Sequence, residues 1–164
     1  MKKLVFVLLS VICVYANPAN TTITKSCDKS YNEKICGDDP LCSASRCFYK
    51  NLSSIEEAFQ FYLKEEIQQQ ESLGDIEYNN SYLLVLKYML TIPLPKVGES
   101  SKYTANIRDY YAVRDGYQNI CNFEFKRTKD SLIINFNACY EEEHSLTFIQ
   151  KAGYIEIAKT MMAL

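Results

Sequence analysis

Residues 114–140 read RDGYQNICNFEFKRTKDSLIINFNACY. Cys121, Phe123 and Phe125 alternate with Asn122 and Glu124. Leu132, Ile134, Phe136, Ala138 and Tyr140 repeat the same period of two. That period marks a strand with one buried face. Arg127-Thr-Lys-Asp130 is the polar break between the two strands, and Asp115-Gly116 is a two-residue hairpin signal before them. The centre of the chain is therefore an antiparallel meander. Placing Phe123 opposite Phe136, and Phe125 opposite Ile134, puts the apolar groups on one face. Cys121 then falls opposite Ala138, and Cys139 joins Ile133, Asn135 and Asn137 on the other face. A Cys121–Cys139 bridge needs a bulge near Asn137. The competing pairing sends one of these cysteines to the amino-terminal cap.

Outward from that centre, Ser53 to Leu73 is the clearest helix. Ile55, Ala58, Phe59, Tyr62, Leu63 and Ile67 recur at three- and four-residue steps and draw one apolar stripe. Ser53 with Glu56, and Ser54 with Glu57, fit capping boxes, and Gly74 is a stop. The stripe is expected to cover the apolar face of the meander. Tyr82 to Ile92 is apolar almost throughout, ends at Pro93 and Pro95, and shows no period that separates helix from buried strand. It is assigned here as a strand. Tyr103–Val113, Tyr117–Phe125 and Ser131–Tyr140 follow as strands. Ser145–Gln150 and Tyr154–Ala158 form a last hairpin around Ala152-Gly153. Glu141-Glu142-Glu143 reads as a charged turn, and Thr160–Leu164 as a frayed end. The expected fold is α+β: one amphipathic helix on an antiparallel β-meander of about five to six strands, beneath a disulfide-rich N-terminal cap.

Residues 1–16 read as a secretory signal: Lys2 and Lys3, an apolar core from Leu4 to Val14, and a small-residue cleavage site ending at Ala16. The core is shorter than the roughly twenty residues a membrane span needs. Residues 17–164 are then a single secreted domain, with a cysteine-rich cap and loop at 17–52 and the helix and meander at 53–164. The 18 lysines and arginines, less Lys2 and Lys3, leave 16 against 20 acids, a net charge of −4. A mildly acidic chain lacks the basic face a nucleic-acid partner requires.

Cys13 leaves with the signal, and Cys27, Cys36, Cys42, Cys47, Cys121 and Cys139 remain. An even count in an exported chain indicates three disulfides. The spacing of the first four lacks the close pairs of a zinc site, so no metal and no cofactor is expected. Asn20-Thr-Thr, Asn51-Leu-Ser and Asn79-Asn-Ser are acceptor triplets for N-glycosylation.

The sole histidine, His144, follows three glutamates, and a histidine in such a turn is usually solvated. Glu65 with Glu66 are adjacent on a helix and do not face one another. No nucleophile elbow, phosphate-binding glycine loop or zinc-protease helix is present. The expectation is a non-catalytic protein. Tyr110, Tyr111, Arg114 and Tyr117 are the candidate binding residues, since exposed tyrosine and arginine suit interfaces. The expected partner is an extracellular or host protein, with no stable membrane insertion.

Two other functions share this architecture. A helix followed by antiparallel strands closes, in lipocalin-like proteins, into a cup for a small apolar ligand. A helix laid across an antiparallel sheet, with a carboxyl-side disulfide hairpin, also resembles the cystatin arrangement over residues 53–140. That likeness implies protease inhibition. The glutamine-containing Q-x-V-x-G loop of cystatins is reduced here to Val97-Gly98 within Leu94-Pro-Lys-Val-Gly98, and the cysteine cap is foreign to the family.

Overall fold

The computed structural model describes residues 22–72, 81–107, 116, 120–137 and 142–163. They form one antiparallel sheet of seven strands with three helices. In chain order these are β1 (Thr24–Cys27), α1 (Tyr31–Cys36), β2 (Cys42–Lys50), α2 (Ile55–Ser72), α3 (Ser81–Met89), β3 (Ser100–Asn106), β4 (Ile120–Arg127), β5 (Ser131–Asn137), β6 (Glu142–Lys151) and β7 (Tyr154–Ala163). The spatial order is β1-β2-β7-β6-β5-β4-β3. The sheet is open, with β1 and β3 at its edges.

The expected central register is present: Phe123 faces Phe136 and Phe125 faces Ile134. Cys121, Phe123, Phe125, Leu132, Ile134, Phe136, Leu146, Phe148, Ile155 and Ile157 all point to one buried face. Helix α2 supplies Ile55, Ala58, Phe59, Tyr62 and Leu63 to that core. Phe59 meets Phe125 and Phe148 edge-on at 6.5 and 6.0 Å, and Tyr62 meets Phe148 at 5.8 Å. Such edge-to-face contacts add to the burial term. The hairpin between β6 and β7 turns at Ala152-Gly153, where Gly153 takes φ +85°.

Five expectations are corrected. Tyr82–Ile92 is not a strand. Residues 81–89 are α3, because Tyr82, Val85, Leu86 and Met89 are buried at helical spacing and only Val85 of the segment is β-branched. The single expected helix thus becomes three, α1 lying inside the cap. The cap is not a loop-rich appendage. Its β2 pairs with β7 from Cys42↔Met162 to Tyr49↔Ile155, which raises the strand count to seven. That pairing also carries β7 through Thr160–Ala163, so the carboxyl end is strand where fraying was expected. Glu142 and Glu143 open β6 and are not a turn.

Two disulfides staple the cap. Cys27–Cys47 joins β1 to β2 at directly opposed positions, and Cys36–Cys42 ties the end of α1 to the start of β2. The four cap cysteines therefore pair among themselves. Cys121 is also disulfide-bonded, and the expected partner, Cys139, lies outside the described residues. Among the described residues, no helix is long and apolar enough to cross a membrane.

Candidate functional site

Helices α2 and α3 occupy one face of the sheet, α1 packs on the other over Ala44 and Arg46 of β2, and the alternation of β4, β5 and β6 sends polar residues to that second face. Strand β4 presents Asn122 and Glu124 there, β5 presents Asn135 and Asn137, and β6 presents Glu143 and Ser145. Their registers align them into a row that crosses five strands: Lys102, Glu124, Asn135, Ser145 and Thr160 stand opposite one another in turn. A second row runs beside it, with Thr104 opposite Asn122, and Asn137, Glu143 and Met162 in turn. The two rows floor an open groove of about 740 Å³. With strands about 4.8 Å apart, the ladder is about 19 Å long across β3 to β7.

Few of these polar groups satisfy one another. Thr104 donates to Asn122 Oδ1 at 3.0 Å, and the Asn122 amide donates to Asn137 Oδ1 at 2.6 Å. Lys102 and Glu124 pair at 3.5 Å across the edge of the groove. Glu143 is exposed, with no ion-pair partner among the described residues. The side chain of Asn135 likewise makes no hydrogen bond there. The rings of Phe123 and Phe136 turn to the core, and the side chains that rise from the groove floor are amides, hydroxyls, carboxylates, the Lys102 ammonium and Met162.

A second polar cluster lies on the opposite face, where α2 meets β1, β2, β7 and α3. Glu65 and Glu66 diverge as their adjacency requires. Glu65 accepts from Lys25 and from the Tyr49 hydroxyl, each at 2.9 Å. Glu66 accepts from Lys159 at 3.2 Å and from the Tyr82 hydroxyl at 3.3 Å. Burial, and then these carboxylates, push the Tyr49 and Tyr82 hydroxyls far above their ordinary range, so both remain donors. The cluster is a clamp: β1, β2, α3 and β7 are each tied to α2 by one charged or phenolic group.

His144 is not the solvated turn residue expected. It lies in β6, 4% exposed, in a cluster of three rings with Phe136 at 4.8 Å and Tyr82 at 5.0 Å. Its Nε2 meets Glu142 at 3.0 Å, and Nδ1 has no partner. Burial depresses its pKa, Glu142 opposes that, and nearby Lys159 reinforces it. Arg127 is also displaced from its expected place in a polar break. It closes β4 on the core face, 5% exposed, and reaches Glu56 of α2. Glu56 is thereby taken from the capping box proposed for Ser53. Glu57 caps instead, accepting from the Ser53 amide and hydroxyl at 2.7 and 2.6 Å, while its own amide donates to Ser54 Oγ at 3.1 Å.

Tyr110, Tyr111, Arg114 and Tyr117, expected as the binding cluster, lie outside the described residues, as do Asn20 and Asn79. Asn51 is exposed just after β2, at φ +67°, and its Nδ2 donates to Thr22 O at 2.8 Å. No motif in the sequence announces the ladder. Its signal was the polar half of the central register, where Asn122, Asn135 and Asn137 fall on one face once Phe123 is placed opposite Phe136. Among the described residues, no group of three or more His, Cys, Asp or Glu side chains is placed to hold a metal ion.

Comparison with protein-family models, with curated proteins and with solved structures found no match.

Proposed function

We propose that this chain is an exported, disulfide-bonded, non-catalytic binding protein that engages an extracellular or host protein through the open polar face of its sheet. One observation carries the proposal. About 19 Å of aligned amide, hydroxyl and carboxylate groups stands exposed or, at Asn137, Ser145 and Thr160, half-buried, with much of its hydrogen-bonding capacity unused. Polar surface that hydrates freely is common, but two registered rows in a concavity are a preorganised set of contacts. The cap disulfides suit an oxidising compartment.

The carrier of a small apolar ligand fits less well. The sheet is open, its apolar face is filled by α2 and α3, and its concavity is lined by polar and apolar groups in comparable measure. The cystatin-like reading rests on α2 lying over an antiparallel sheet, an arrangement that does not by itself carry a function.

The test is affinity capture from the fluid into which the protein is exported, with wild type beside an Asn135→Arg, Thr160→Arg double variant. Both positions face the groove, so the arginines fill it without touching the core. The proposal expects saturable capture of a defined protein by wild type and its loss in the folded variant. Equal capture by both proteins, or no saturable capture by either, contradicts it.

A further inference from the structure

We infer that the occupant of the groove is an extended peptide segment carrying a basic side chain, seated across the strands with its positive charge at Glu143. The inference rests on the binding-protein reading and specifies the partner's contacting element.

Three features of the groove point to it. First, its shape is linear. Each of β3 to β7 contributes at least two lining residues at matched register, so the floor runs perpendicular to the strands. An extended chain rises about 3.3 Å per residue, so the ladder spans about six residues.

Second, the free groups match a peptide backbone. Asn135 keeps both halves of its amide, and one carboxamide offers the donor and acceptor pair that one peptide unit needs. Asn122 and Asn137 have their oxygens engaged within the sheet. Their NH2 groups therefore remain to donate to carbonyl oxygens. Ser145 and Thr160 add hydroxyls on the same row.

Third, the charge is uneven. Lys102 and Glu124 neutralise each other at 3.5 Å. Glu143 stands alone in the second row, between Asn137 and Met162. A carboxylate at that position favours a lysine or arginine and repels an acidic segment.

The lining argues against other classes of occupant. Four rings border the groove, and the registers Tyr103↔Phe123 and Phe136↔His144 turn all four toward the core side of the strands, where they offer no open face for a nucleobase to stack on. Met162, half exposed at the β7 end beside the Cys36–Cys42 loop, is the one large apolar side chain on the floor. It provides a contact for the stem of a long basic residue.

The probe is a library of random linear octapeptides displayed on beads, selected in parallel with wild type, Glu143→Lys and the Asn135→Arg, Thr160→Arg variant. A glycan array is run beside it. Wild type is expected to enrich peptides containing lysine or arginine. Glu143→Lys is expected to weaken those peptides about tenfold, the factor that the loss of one charge-assisted contact carries, and to select acidic ones instead. Circular dichroism checks that each variant is folded. Enrichment of the same basic peptides by Glu143→Lys overturns the inference, as does enrichment that survives the double arginine variant. Groove-dependent binding on the glycan array alone also overturns it. If no peptide is enriched while wild type still captures a protein that the double variant loses, the peptide inference falls and the binding-protein reading stands.

Discussion

Arg127 and Glu56 make the sharpest energetic prediction, because their exposures are so unequal. The guanidinium is 5% exposed and the carboxylate 59% exposed, and the two are in direct contact. Nε and Nη1 of Arg127 are buried with no partner. Removing the carboxylate leaves an uncompensated buried cation, whereas removing the arginine leaves a carboxylate that water can solvate. Two unit charges 4 Å apart attract by about 4 kcal/mol at an effective dielectric of 20. Solvent around the exposed Glu56 screens that by about half, so Glu56→Ala should cost about 2 kcal/mol. Arg127→Met keeps the apolar stem and abolishes the desolvation cost, so it should cost under about 1 kcal/mol. The double substitution should then cost about as much as Arg127→Met alone. Equilibrium urea unfolding at neutral pH measures all three. Tyrosine fluorescence or circular dichroism is the probe, since the chain has 13 tyrosines and no tryptophan. A cost for Arg127→Met larger than that for Glu56→Ala would refute the reasoning, and so would strictly additive single effects.

Other outcomes follow from the same structure. Replacing Cys27 and Cys47 together by serine opens a loop with a sequence separation of 20 and should cost about 3 kcal/mol, read as a lower urea midpoint. Phe148→Ala empties a site between Phe59 and Tyr62 and should cost about 4 kcal/mol, enough to lower the melting temperature sharply. His144 stays neutral in the fold at a pH where the unfolded side chain, with a value of 6.5, takes up a proton. The unfolded state then binds more protons, so stability is complete above pH 6.5 and declines as the pH falls toward the depressed folded value. His144→Phe preserves a ring against Tyr82 and Phe136, and unfolding curves at neutral and mildly acidic pH should show that this decline is gone.

The centre of the sheet was legible because two independent signals agree there. Phe123, Phe125, Ile134 and Phe136 alternate cleanly, and the short polar break between the strands sets a register that puts them on one face. Helix α2 was legible for the same reason, through its stripe and its serine and glutamate start. Helix α3 was not. A nearly uniform apolar run carries no period, and its helical form is decided by packing of Tyr82, Val85, Leu86 and Met89 against the core. Strand β2 was hidden by cysteine, serine and alanine, residues that announce a loop in isolation and become a strand once β7 lies beside them. Arg127 and His144 were misplaced because their charged neighbours suggest solvent, while the register turns both side chains inward. The groove contains no motif at all. It exists only when residues from five strands are brought into line, so the sequence held its components without its arrangement.

The central claim is that the face bearing Asn135 and Thr160 stands open over one continuous sheet. Thiol labelling of single-cysteine variants tests it directly, with the native disulfides intact. Asn135→Cys should react with a maleimide at a rate close to an unfolded control and the half-buried Thr160→Cys a few-fold more slowly, while Leu146→Cys, between them and buried on the opposite face, should react orders of magnitude more slowly than either. Protection at Asn135→Cys and Thr160→Cys comparable to that at Leu146→Cys would mean that the face is covered, and would remove the basis for a binding groove.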